Sequence, residues 1–227
     1  MRKYLQARAG CIVLVVMLFH CSTASAQKFD LKLLNHIRND RNTSLDGMMC
    51  GFSQSMYPVS IGVPLGQLVV GYATGNQTTI RNGWTSTAAL GITLVATYGL
   101  KYGVQRQRPY TKHPDMIIPE SYGSDPSFPS GHTSTAFVTA TSLSLQYPKW
   151  YVIVPSYLWA GTVSYSRMHL GKHYPSDVLA GALIGTGSAY LTHKMGQWLE
   201  GKKHRRESDW FNPITAALST PGSSPQP

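Results

Sequence analysis

Five stretches of this chain contain no charged side chain, and they leave little choice of architecture. They cover residues 51–80, 84–100, 133–147, 150–165 and 178–192. Each is far longer than the roughly five or six residues of an ordinary strand. Their wealth of alanine, glycine and serine also argues against β-structure. The reading is an all-α fold, a helical bundle. The runs approach the roughly 17 residues of a minimal membrane span. Small residues dominate them, as they do where membrane helices pack closely. Trp84, Tyr98, Trp150, Tyr151 and Tyr165 fall near run ends, where interfacial aromatics belong. A membrane-embedded bundle of five to six spans, counting the N-terminal segment, is therefore expected. The mean hydropathy of -0.14 pulls the other way, toward a helical bundle in solution.

The start of the chain reads as a targeting segment. Arg2, Lys3 and Arg8 precede an apolar run at 11–19, and Ala24-Ser25-Ala26 supplies a small-x-small cleavage pattern. The expected organisation is a signal peptide at 1–26, a helical domain at 27–200 and a basic, then disordered, tail at 201–227. An uncleaved signal anchor is the alternative, and either way the chain is exported. With the chain following Gln27 starting outside, alternating spans place Arg81, Lys149 and the cluster at 202–206 inside, as the positive-inside rule asks. Residues 28–46 read as an amphipathic helix, with Phe29, Leu33 and Ile37 on one side. Beyond the leader Cys50 stands alone, so neither an internal disulfide nor a cysteine metal cluster is expected.

Charged residues make up only 13% of the chain, yet the net charge is +10. That balance suits an anionic ligand or an anionic membrane surface. The basic residues are scattered over the N-terminus, 101–112, Arg167 and 202–206, not massed among aromatics. Nucleic acid is thus excluded as the expected partner.

Three clusters carry chemistry. The first is Ser166-Arg167 followed by His173 and Asp177. Imidazole is a nucleophile when one ring nitrogen is free and the other is hydrogen-bonded, and Asp177 is near enough in sequence to hold the far nitrogen. Arg167 offers a planar fork to phosphate oxygens. A His–Asp pair four residues apart is common on ordinary helices, so this cluster alone is weak. The second, Lys101 and Arg108-Pro109, closes an uncharged run. The third, Pro129-Ser130-Gly131-His132, opens the next run, where free backbone N–H groups and a glycine let an anion approach. Ser130 adds a hydroxyl, and His132 is a second group able to move a proton.

Together, Lys101-x6-Arg108-Pro109, Pro129-Ser130-Gly131-His132 and Ser166-Arg167-x5-His173-x3-Asp177 resemble the three-part signature of the type 2 phosphatidic acid phosphatase (PAP2) superfamily. No signature position departs from it, and the resemblance spans roughly residues 29–190. It implies that His173 attacks phosphorus to form a phosphohistidine, that Asp177 orients its ring, and that His132 protonates the leaving group and then helps activate water. It implies that Lys101, Arg108, Ser130, the Gly131 amide and Arg167 hold the phosphoryl oxygens, with no metal and no cofactor. The implied substrate is a membrane lipid phosphate (lipid A, undecaprenyl diphosphate, phosphatidate or phosphatidylglycerol phosphate), handled at the periplasmic face of a bacterial inner membrane. A soluble periplasmic acid phosphatase and a vanadate-dependent haloperoxidase share the same clusters. His169 and His113 read as structural or solvated, and Arg106 and Lys112 as a solvated loop face or headgroup contacts.

Overall fold

The computed structural model describes residues 23–218, with side chains for 28–199. The expected signal segment falls mostly outside the described residues, as does the end of the tail. Among the described residues there is no strand. The helices are α1 (Thr23–Asn39), α2 (Asp46–Thr74), α3 (Gln77–Val104), the single turn α4 (Pro109–Lys112), α5 (Gly131–Gln146), α6 (Trp150–His169) and α7 (Pro175–Leu218).

Local chemistry sets the boundaries. Gly75 ends α2 in the left-handed region, at φ 67°, and the Asn76 side chain accepts from Thr79 N to start α3. Pro109 and Pro175 occupy first helical positions, where the missing N–H costs nothing. Two expectations need correction. The amphipathic helix at 28–46 ends at Asn39, because the Asn42 side chain caps a short 3₁₀ turn at Thr43–Leu45 and a new helix begins at Asp46. The tail at 201–227, expected to be basic and then disordered, instead continues α7 as far as Leu218.

The bundle interior is rich in small polar residues and its outer faces are apolar, with buried hydrophobic clusters such as Leu34, Tyr110, Ile117 and Tyr174 beside the polar faces. Along α2 the buried positions are Met49, Ser53, Met56, Ser60, Pro64, Gln67 and Gly71, and along α3 Gly83, Ser86, Ala89, Thr93, Thr97 and Lys101. Steps of three and four put each set on one helix face. Helix α5 lies at the centre, against α7, α6 and α3. Its buried face is mostly threonine, serine and alanine. Ser and Thr hydroxyls bond largely to helix carbonyls, as in Thr139 Oγ1 to Thr135 O at 2.9 Å and Ser164 Oγ to Ala160 O at 2.7 Å. Near the end of the bundle holding Gln146, its side chain joins Gln67 (2.7 Å), Ser86 (2.9 Å) and the Asn82 carbonyl (3.1 Å). By contrast Ile61, Leu65, Val69, Val95, Leu158 and Leu183 are all more than half exposed. Among the described residues no helix is long and apolar enough to cross a membrane. The hydropathy expected of spans is not reached because the inward faces are built from serine, threonine and glycine.

Helices α5 and α7 touch backbone to backbone. A Cβ on Gly181 would sit 2.6 Å from the Ser130 carbonyl oxygen, and one on Gly185 would overlap the Ser134 carbonyl. Neither neighbour can yield, since both are backbone. Gly187, two residues on, faces open space. Gly185→Ala should therefore destabilise the fold by about 2 kcal/mol through overpacking, whereas Gly187→Ala should stabilise it by up to about 1 kcal/mol through helix propensity. Thermal melting of the two purified variants reads the difference in sign.

Candidate active site

Alternating helix direction brings distant residues to one end of the bundle. Lys101 lies in the last turn of α3, His132 in the first of α5, Arg167 in the last of α6 and Asp177 in the first of α7. The Ser130 N–H donates to the Asp177 carbonyl at 3.0 Å and ties the starts of α5 and α7 together. A sharp turn delivers His173 from α6. In it Gly171 adopts φ +69°, and a Cβ there would lie 2.5 Å from Arg38 Nη1. Arg38 itself donates to the carbonyls of His169 (3.1 Å) and Ile118 (2.6 Å), fixing the turn from α1.

These elements enclose a cavity of about 460 Å³. Lys101, Arg108, Gly131, His132, Arg167 and His173 line one part, and Lys172 and Asp125 join them. Both histidines thus face the same space. Most of the remaining wall is apolar, from Met56, Tyr57 and Ile61 of α2 and Leu90, Leu94 and Tyr98 of α3, interrupted by Ser60, Thr97 and Thr135. The edge of the Tyr57 ring meets His132, with centroids 5.4 Å apart.

The cations are buried and mostly paired. Lys101 Nζ lies 2.8 Å from Asp125 Oδ2 and donates to the Pro126 carbonyl at 2.5 Å. Arg108 Nη2 meets Asp125 Oδ1 at 2.6 Å, its Nε donates to the Asp125 carbonyl at 2.9 Å, and Nη1 donates to the Lys172 carbonyl at 3.1 Å. Arg167 Nη1 donates to Ser53 Oγ at 2.6 Å, while its buried Nε–H has no hydrogen-bond partner among the described residues. A buried donor left open beside a cavity is an invitation to an anion.

The ring of His173 can be assigned a tautomer. Arg108 Nη1, which can only donate, lies 3.4 Å from Nε2, so Nε2 presents its lone pair. Nδ1 faces Asp177 Oδ2 at 3.6 Å and Ser127 Oγ at 3.5 Å. The proton therefore sits on Nδ1, and the free pair points at the cationic end of the cavity.

One expected contact is not made. Ser130 Oγ accepts from Thr133 N (3.5 Å) and Thr133 Oγ1 (3.0 Å), so this hydroxyl caps α5 and does not line the cavity. Gly131 does line it. A Cβ there would have 3.9 Å to its nearest neighbours, so glycine serves to keep the backbone open to the cavity and not to relieve a clash.

A model of the PAP2 superfamily matches residues 82–200, just over half of the chain. The chain belongs to that superfamily. It is 35% identical over 114 residues to an undecaprenyl-diphosphatase of Sulfolobus acidocaldarius, covering 47% of this chain and 55% of that protein. It is 42% identical over 64 residues to a lipid A 4'-phosphatase of Bacteroides thetaiotaomicron, covering 28% of each. The chain thus spans about half the length of the first relative and under a third of the second. Among solved structures it resembles the transmembrane PAP2 type phosphatidylglycerolphosphate phosphatase of Bacillus subtilis, with TM-score 0.65 over 83% of this chain and 95% of that one at 23% identity. It also resembles Aquifex aeolicus LpxE, with TM-score 0.56 over 72% and 94% at 28% identity. The first likeness speaks for the fold alone.

Several residues packed around this cavity escape a reading of the motifs. Asp125 bridges Lys101 and Arg108 from the loop before α5, and Ser127 donates to Asp177 Oδ2 at 2.5 Å. Only their place in a polar loop between two motifs hinted at them. Arg106, expected on a solvated or headgroup-facing loop, is instead turned inward against Asp177 and Asp30, at 2.6 and 2.8 Å. His169 is structural as expected, buried with Nε2 2.7 Å from Asp46.

Burial sets the charge state of His173. Desolvation pushes its imidazole down to about 4; the Asp177 contact opposes this, and Arg167 and Arg108 add to it. Asp125 is held down to about 2, because Lys101 and Arg108 outweigh the upward pull of burial. Between the ordinary histidine value and about 4, the unfolded chain takes a proton at His173 that the folded chain refuses. Its contribution to stability is thus full above the ordinary value and shrinks as pH falls. In NMR titrations the His173 ring should stay neutral through pH 6.5 and titrate near 4; a midpoint at the ordinary histidine value would contradict the buried geometry.

Proposed function

We propose that this chain is a metal-independent phosphatase that hydrolyses a phosphomonoester or diphosphate of a membrane lipid through a phosphohistidine. The observation that carries the reading is the composition of one cavity, cationic at one end and apolar at the other. The cationic end suits a phosphoryl group and the apolar end a hydrocarbon chain. Lipid A, undecaprenyl diphosphate, phosphatidate and phosphatidylglycerol phosphate all fit that description, and the first two are named in the relatives.

The phosphoryl oxygens take the place of the Asp125 carboxylate on Lys101 and Arg108, and fill the open donor of Arg167 and the Gly131 amide. Preorganised donors of this kind stabilise the charge of a five-coordinate phosphorus. His173 Nε2 attacks phosphorus, the bond to the leaving oxygen breaks, and His132 supplies the proton that oxygen needs. Water then attacks the phosphohistidine, His132 takes its proton, and inorganic phosphate leaves. His132 sits just ahead of the uncharged run. In the empty cavity burial first, then Arg167, His173 and Arg108, disfavour a charge on its ring. A bound phosphoryl dianion offsets those cations and allows His132 to carry the proton it must give.

The inverted polarity of the bundle supports a place in the bilayer, with the uncharged runs spanning it and the site at one rim. The positive-inside distribution of Arg81, Lys149 and 202–206 supports a periplasmic orientation for that rim, with 1–26 as signal or anchor, 27–200 as the catalytic domain and 201–227 as a basic tail. The modest hydropathy of the helices favours a second reading, a soluble periplasmic acid phosphatase. Release by osmotic shock without detergent would select the second.

His173→Ala should lower kcat by about 10⁴-fold or more, as for loss of a nucleophile. Asp177→Asn should cost about 10³-fold in kcat with KM little changed, because the ring loses its tautomer. Vanadate should inhibit and EDTA should not, both measured as phosphate release from a lipid phosphate in detergent. Full activity of the His173 variant, or EDTA inhibition reversed by a metal, would refute the route. Mass spectrometry of membrane lipids with and without the gene identifies the lipid that loses a phosphate.

A further inference from the structure

We propose that Arg106 and Asp30 are positioning residues for the reaction, forming with Asp177 a buried charge relay that sets the charge behind His173. The inference rests on His173 as the nucleophile. Asp177 is fully buried, and its two oxygens have different partners. Oδ2 accepts from Ser127 Oγ (2.5 Å) and Tyr174 N (2.9 Å) and faces the His173 ring. Oδ1 is held by Arg106 Nη1 at 2.6 Å. The same Arg106 donates to Ser176 Oγ at 2.7 Å, and its guanidinium lies 4.0 Å over the Tyr174 ring. From behind, Asp30 Oδ2 takes Arg106 Nη2 at 2.8 Å. Asp30 Oδ1 also accepts the Ser176 N–H at 3.0 Å, and Oδ2 the Ser176 hydroxyl, from 146 residues away in sequence.

Each link is a short contact between charged or strongly polar groups, with both aspartates buried and Arg106 mostly so, on the wall of a second cavity of about 440 Å³. Asp30 and Arg106 are largely buried, and neither lines the cavity that holds the histidines. Neither can therefore read the substrate directly. Their effect on the reaction runs through Asp177.

The charge count explains why the second aspartate is present. Arg106 alone would neutralise Asp177, leaving no net charge behind His173. With Asp30 the trio carries one net negative charge. The resting imidazole is neutral, so on its Nδ1 side that charge meets no cation until the ring becomes charged, while Arg108 stands on the Nε2 side at 3.4 Å. Attack on phosphorus makes the ring cationic, because Nε2 gains a bond while Nδ1 keeps its proton. The relay thus favours the phosphorylated ring over the resting one, and that difference lowers the barrier. Arg106 also acts as a mechanical stop. Held against Oδ1, it keeps the carboxylate from rotating away from Nδ1.

The test uses the full chain in detergent with one lipid phosphate, and variants Asp30→Asn, Arg106→Gln, Arg106→Lys and the Asp30→Asn/Arg106→Gln double. Thermal melting confirms folding, and acid-labile phosphate on the protein reads the phosphohistidine. Asp30→Asn keeps the shape and removes only the charge, so it guards against loss of fold in the arginine variants. Asp30→Asn and Arg106→Gln should each lower kcat and the rate of phosphoenzyme formation by about 10- to 100-fold, the usual loss when a group supporting a reacting residue is removed. KM should stay within about twofold. The double should lose no more than the worse single, because removing both charges leaves Asp177 with the same net negative charge and only the mechanical stop is missing. Arg106→Lys should recover part of the rate, having the charge without the fork. A rise in KM with kcat unchanged, or phosphoenzyme formation at the wild-type rate in folded Asp30→Asn, overturns the relay and leaves the histidine route standing. A wild-type enzyme that hydrolyses lipid phosphate with no acid-labile phosphate on the protein overturns both.

Discussion

A cluster of buried cations can exist in a folded protein only if anions are built in beside it. Lys101, Arg106, Arg108, Arg167 and Lys172 are all taken largely out of water. An unpaired buried charge is costly, and that cost falls only with good pairing geometry. This chain meets the constraint with three aspartates from different regions. Asp125 neutralises Lys101 and Arg108, while Asp177 and Asp30 share Arg106. Arg167 has no carboxylate within salt-bridge distance among the described residues and keeps an open donor. The cradle is thus stable without ligand yet retains one unsatisfied cation, and Asp125, about two-fifths exposed, stands where an incoming anion can replace it.

The same economy of polar groups shapes the whole bundle. Serine and threonine can fill the interior because most of their hydroxyls bond to helix carbonyls one turn back or to one another, with Thr93 Oγ1 left without a partner among the described residues. Small inward faces let α5 and α7 approach until backbone meets backbone at Gly181 and Gly185. That approach places Ser130 N on the Asp177 carbonyl and fixes the distance between the two histidine-bearing segments. Packing and chemistry meet at this one contact. Many large aliphatic side chains of the uncharged runs are left on the outer faces.

What the sequence discloses and what it hides divide along physical lines. Uncharged runs reveal helices because helix periodicity and length are local properties. The histidine, arginine and lysine positions are legible because each lies at a helix end at fixed spacing. Ser130 was legible as a residue but not as a contact: a serine before a helix is equally a cap, and capping won. The break after Asn39 is marked in the sequence, since residues 38–44 hold no apolar side chain and Asn42 supplies a cap. Arg106 and Asp30 were illegible for a different reason. Their pairing spans 76 residues, and nothing in either neighbourhood marks an arginine that turns inward.

That long-range pairing gives α1 a meaning its amphipathic pattern does not convey. From this one helix Asp30 reaches the start of α7, and Arg38 braces the turn at Gly171. Arg41, just past its end, reaches the His169 carbonyl and Asp46. These are the two ends of the segment that carries His173. The turn has no regular structure of its own and is otherwise held by its flanking helices and by Arg108, which donates to the Lys172 carbonyl. A nucleophile must stay within a fraction of an ångström of its line of attack, and clamping both ends from outside the bundle is a direct way to keep it there. The N-terminal helix is, in this sense, part of the frame of the proposed active site, although none of its described side chains lines the cavity.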